Sequence, residues 1–122
     1  MNVKSEKSDI RQRCYKFSLE IIELSDKLPQ KRSSWVIADQ VLRSATSIGA
    51  NLIEARSSSS RLEFKKFYEI SLKSTNETIY WLGLLKDSGL VNETDINPLI
   101  QEAVELGKMI GSAVIKLKSK KF

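Results

Sequence analysis

Apolar residues return every three or four positions along nearly the whole chain, so the pattern predicts α-helices. The first stripe is Ile10, Cys14, Phe17, Ile21, Leu24 and Leu28, on a helix predicted over 8–28. Pro29 closes it, because the residue before a proline is pushed out of the α region. A second helix, predicted over 34–57, carries Ala38, Val41, Ala45, Ile48, Leu52 and Ala55. Its alanines make a thin face that lets a neighbouring helix come close. The serine run 57–60 then breaks the pattern, since serine competes for backbone hydrogen bonds. Ser60-Arg61-Leu62-Glu63 fits a capping box for a third helix over 61–88, which Gly89 terminates. Its predicted inward positions are Phe64, Phe67, Ser71, Ser74, Thr78, Trp81 and Leu85, with rings at both ends and small hydroxyls between. Asn92 or Thr94 caps a fourth helix over 93–118, with the stripe Ile96, Leu99, Ala103, Leu106, Ile110, Ala113 and Leu117. Pro98 falls either in its first turn, where proline fits, or one turn later, where it would kink the helix.

Helices of about 25 residues are near 37 Å long, and connections of a few residues imply antiparallel neighbours. The prediction is an all-α, antiparallel up-down-up-down four-helix bundle, one domain over 1–122, with tails 1–7 and 119–122 fraying. Composition narrows the chemistry. The 122 residues include no histidine and one cysteine, Cys14. That removes histidine-based triads and metal sites, internal disulfides and CxxC motifs. Neither a cofactor nor a metal is expected, and the chain reads as a non-enzyme. Cys14 lies on the core stripe and reads as a small buried hydrophobe. The longest near-continuous apolar run, Ile79 to Leu85, is far short of the ~20 residues that span a bilayer. The basic amino terminus lacks the apolar stretch of a secretory signal. A reduced, cytoplasmic protein is the expectation.

The net charge of +5 hides an asymmetry. An up-down-up-down bundle brings the starts of helices one and three and the ends of two and four to one end. Residues 1–16 carry net +3, 54–69 net +1 and 108–122 net +5, so that end totals +9 and the rest of the chain −4. The cations include Lys4, Lys7, Arg11, Arg13, Arg56, Arg61, Lys65, Lys66, Lys116, Lys118, Lys120 and Lys121. Such an end is the footprint of a phosphate-binding surface. Cations at a helix C-terminus also favour its dipole, which accounts for Lys116–Lys121 without a ligand; it does not account for those on the first helix. Tyr15, Phe64, Phe67, Tyr68 and Phe122 lie near this end and could stack on bases, though core or interface packing explains most of them. Trp35 and Trp81 read as packing anchors, one of which could mark an interface.

A second, polar stripe runs beside the apolar one on helix two: Ser44, Ser47, Asn51, Glu54 and Ser58. Ser71, Ser74 and Glu77 answer it from helix three. Asn51 and Glu54 are expected to be partly buried, with Arg43 and Arg56 as candidate partners for Glu54 or Glu77. A catalytic pair, Glu54 with Glu77, is conceivable, but no metal-ligand constellation accompanies it. A structural polar seam between helices or subunits, formed by Ser44, Ser47, Asn51, Glu54, Ser74 and Glu77, is the favoured reading.

The stretch from Val41 to Ala55, with its Arg-Ser-Ala-x-Ser-Ile-x-x-Asn-x-x-Glu core, resembles the family of proteins encoded in intervening sequences of bacterial 23S rRNA genes. The accessory variability proteins of diversity-generating retroelements are relatives of that family. Glu63-Phe64, Phe67-Tyr68, Ser71-Leu72, Ser74, Glu77 and Trp81-Leu82 extend the match, which covers about residues 10–120. Ala55 departs from it, standing where the family usually has glycine. The resemblance implies an up-and-down bundle, a ring-like homopentamer and no known catalytic activity. The retroelement relatives bind nucleic acid and a reverse transcriptase through a basic surface. Two functions follow as expectations: a homo-oligomeric module that binds RNA or DNA through its basic end, or a protein-binding adaptor or scaffold. Partners on these readings are further copies of the chain, RNA or DNA, and a reverse transcriptase or other protein; no membrane is expected.

Overall fold

Four helices follow in the computed structural model, which describes residues 9–119: α1 Ile10–Asp26, α2 Arg32–Arg56, α3 Arg61–Asp87 and α4 Glu93–Ser119. They form an all-α four-helix bundle. Each boundary has a local cause. Asp9 caps α1, its carboxylate accepting from the N–H groups of Arg11 at 3.1 Å and Gln12 at 3.4 Å. The helix ends at Asp26, two residues earlier than the stripe suggests, and Leu28 packs on the core from outside it. Ser60 accepts from the N–H of Glu63 at 3.1 Å, as a capping box requires. The return contact shifts by one residue, since Glu63 accepts from the N–H of Ser59 at 3.0 Å. Gly89 leaves α3 with φ of 75°, a left-handed conformation open to glycine without strain. Asn92, rather than Thr94, caps α4, accepting from the N–H of Asp95 at 3.3 Å. Pro98 lies inside α4. It stands beyond the first turn, so the carbonyl of Thr94 loses its helical donor.

The core is built from Cys14, Phe17, Ile21 and Leu24 of α1, Val41, Ala45, Ile48, Leu52 and Ala55 of α2, Leu82 and Leu85 of α3, and the buried stripe of α4. Two predicted faces are corrected. On α3, Thr75 and Leu82 are fully buried, whereas Phe64, Phe67 and Trp81 are half-buried. This helix serves two neighbours: Ser71, Ser74 and Thr78 meet α2, while Thr75 meets α4 at Gly107. On α4, Val114 is buried while Ala113 and Leu117 are half-buried. A straight helix drifts by about 20° per heptad, so a strict seven-residue stripe leaves the core by its last turn.

Cross-helix contacts fix the antiparallel order. Ser44 meets Thr78 and Ser47 meets Ser74 between α2 and α3, and Glu69 meets Lys118 between α3 and α4. Arg13 of α1 reaches Glu102 and Glu105 of α4. Among the described residues no helix is long and apolar enough to cross a membrane.

Candidate nucleic-acid interface

The antiparallel order gathers the last turn of α2, the first two turns of α3 and the last turn of α4 at one end. Arg56, Arg61, Lys66, Lys116 and Lys118 are exposed there, and Lys65 is half-buried. Two of the nearby acids are engaged. The Glu63 carboxylate caps α3, and Glu69 lies 3.7 Å from Lys118. Lys4, Lys7, Lys120 and Lys121, with Phe122, lie outside the described residues.

The first helix contributes less than its sequence suggests. Arg11 borders the same open groove as Arg56 and so joins the basic end. Arg13 points the other way. Its guanidinium donates to Glu102 at 2.6 and 3.0 Å and to Glu105 at 3.3 Å, and touches the Met109 sulfur at 3.3 Å. The bond to Glu102 is the main cause that raises the Arg13 pKa, against the cost of burial. Arg13 therefore ties α1 to α4 rather than offering a free cation. From Met109, α4 runs on for ten residues, about 15 Å, which carries Lys116 and Lys118 beyond the level of Arg13. Aromatic placement also sorts itself: Phe64 and Tyr68 stack on each other with centroids 4.8 Å apart, whereas Tyr15 is 71% exposed.

The polar seam lies within one chain, between α2 and α3. The Ser71 hydroxyl donates to the carbonyl of Ile48 at 2.8 Å. Ser47 and Ser74 share a hydrogen bond of 2.9 Å, as do Thr78 and Ser44. Asn51 donates from its amide to the Ser47 carbonyl at 2.8 Å and hydroxyl at 2.9 Å. Small hydroxyl side chains let the two backbones meet, and the hydroxyls of Ser44, Ser47, Ser71, Ser74 and Thr78 each have a partner, whereas Ser58 at the end of the stripe has none among the described residues. Beside the seam, Arg43 donates to Glu77, and the Trp81 indole donates to the same carboxylate at 3.0 Å. These bonds, the indole's first, lower the Glu77 pKa. Glu54 is corrected: it is exposed and makes no part of the seam. It lies eleven residues, three helical turns or about 16 Å, from the Arg43 that holds Glu77, so the two glutamates form no carboxylate pair. Ser71 and Thr75 are seam and core members that the apolar pattern alone could not separate.

Cys14 is buried, and burial pushes its thiol up to about 12. Among the described residues no group of three or more His, Cys, Asp or Glu could hold a metal ion. With this geometry in hand, comparison with known proteins adds three findings. A family model described as 23S rRNA-intervening sequence protein matches residues 6–112. A crystal structure from Bacteroides thetaiotaomicron VPI-5482, described as a protein with unknown function from the S23 ribosomal protein family, is 32% identical; the match covers 87% of this chain and 98% of that one, with a TM-score of 0.81. Among curated proteins, none matches the sequence.

Proposed function

This chain belongs to the 23S rRNA-intervening sequence protein family, and we propose that it is a non-enzymatic, homo-oligomeric module that binds RNA or DNA through the basic end of its bundle. One observation carries the reading: Arg56, Lys66 and Lys116 come from three different helices, are exposed, and stand together only because of the antiparallel order. A helix dipole accounts for cations at the ends of α2 and α4. It gives no account of Lys66, which lies in the second turn of α3, beyond the first turn over which the dipole acts. Self-association is supported by large apolar side chains left in solvent on α2 and α3: Trp35 at 58%, Val36 at 55%, Tyr80 at 61% and Leu84 at 36% exposed. The register set by Ser44 and Thr78 brings Val36 on α2 to the level of Leu84 on α3, so one outer face carries the apolar surface of an interface. In a cyclic oligomer, a pentamer on the family resemblance, the basic end repeats on one side of the ring.

The test is a titration of labelled RNA and DNA with the full chain at two salt concentrations. Retention should fall steeply with salt, by a log–log slope near −0.9 for each duplex phosphate neutralised, and vary little with sequence. Reversal of Lys66→Glu with Lys116→Glu should abolish it and leave the light-scattering mass, above the 13.8 kDa of one chain, unchanged. Absence of retention at low salt, or a reversed protein that binds as well as the original, sinks the reading in favour of a protein-binding scaffold.

A further inference from the structure

The outward ring of Tyr15 serves neither the core nor the polar seam. It stands over two adjoining open hollows where α1 packs on α2. The first, of about 350 Å³, is bordered by Arg11, Lys16 and Arg56, with Leu19 and Ile53 as its apolar wall. The second, of about 320 Å³, continues over Thr46, Gly49 and Ala50. Both include Arg11, Tyr15 and Ile53, so they form one trench that opens toward the basic end. Small residues make it. A Cβ on Gly49 would stand 3.0 Å from the Cβ of Cys14, so the helices meet closely there, and Ala50 and Thr46 leave the outer side low.

The trench is cationic as well as apolar. Among the described residues its one acid is Asp9, whose carboxylate is committed to capping α1 and to Arg11 at 3.4 Å. Lys16 and Arg56 have no carboxylate at ion-pair distance among the described residues. A protein interface takes tyrosine and arginine but is depleted of lysine, and Lys16 borders this trench. Here the aromatic ring sits among three cations, the combination that suits a strand of bases and phosphates. A duplex keeps its bases stacked inside and offers a lone tyrosine no base face.

We propose that this trench seats unpaired nucleotides of a single strand, with a base stacked on the Tyr15 ring and flanking phosphates on Lys16 and Arg56. The proposal deepens the nucleic-acid reading and rests on it: the basic end supplies general attraction, and the trench selects unpaired over paired strands.

The experiment compares a labelled oligo-uridine strand with an RNA duplex of equal length, binding the full-length protein. The single strand should bind more tightly. Tyr15→Ala should weaken it by about fivefold to a hundredfold, the range that one stacked base contributes. Tyr15→Phe should retain the binding, and duplex affinity should be unaffected by either change. In NMR spectra, oligo-uridine should shift the Tyr15 ring protons upfield by ring current. Equal affinity for strand and duplex, or an unchanged single-strand affinity in Tyr15→Ala, overturns the trench while leaving the basic end standing. A Tyr15→Ala protein whose light-scattering mass falls while its strand affinity holds overturns it in favour of a protein interface. Failure of wild type to retain either probe overturns both readings.

Discussion

At the scale of single residues, position relative to the α2–α3 seam decides cost. Thr78 is fully buried and shares its hydroxyl with Ser44 and the Ser74 carbonyl. Thr78→Val keeps the shape and removes the bond, and should cost about 1 kcal/mol in denaturant unfolding. Glu54→Ala, on the exposed side of α2, should stay within about 0.5 kcal/mol of wild type in the same measurement. Cys14 gives a second residue-scale prediction. Its folded pKa is raised to about 12 from the ordinary 9.0. The stability tied to the neutral thiol is therefore complete below pH 9 and is lost as pH rises from 9 toward 12. A thiol reagent at pH 8 should modify the native protein only as fast as it unfolds, and modify the denatured chain at once.

At the scale of elements, two glycines in helix interiors make opposite predictions. Glycine costs a helix about 1 kcal/mol relative to alanine. Gly83 of α3 has nothing within 4 Å of the place its Cβ would take. Gly83→Ala should raise stability by about 0.5–1 kcal/mol. A Cβ added at Gly49 of α2 would stand 3.0 Å from the Cβ of Cys14, a backbone-anchored atom that yields only if α1 moves. Gly49→Ala should lower stability by about 1–2 kcal/mol despite the better helix former, because α1 and α2 must part. Thermal unfolding of the two variants side by side checks both signs.

At the scale of the whole molecule, the basic end is a self-repelling surface in the free protein. Net charge of one sign gathered in one place destabilises the compact state, and salt screens it over about 10 Å at 0.1 M. The Lys66→Glu, Lys116→Glu protein should therefore melt no lower than wild type at low salt, and any gain should shrink as salt is added. The same pair of changes that removes nucleic-acid retention thus leaves folding intact, which separates loss of binding from loss of structure.

The local periodicities alone determined four helices, their order and most of their buried stripes, because a residue's spacing along a helix fixes its face. The caps were equally local: Ser60 with Glu63, Gly89 and Asn92 act through atoms a few residues away. The apolar pattern missed Thr75, which is polar yet buried, since burial depends on what the neighbouring helix presents, here Gly107. The candidate site was legible as a list of cations and not as a surface. Sequence offers no way to learn that Arg13 turns to Glu102 while Arg11 stays beside Arg56, or that Glu77 rather than Glu54 takes Arg43. Partners on separate helices are chosen by the height and rotation at which those helices pack, a property of the assembled bundle. Periodicity already set Tyr15 off the apolar stripe of α1, but tertiary structure alone closed α1 onto α2 at Gly49, because the depth of a trench depends on two backbones approaching, which neither helix encodes by itself.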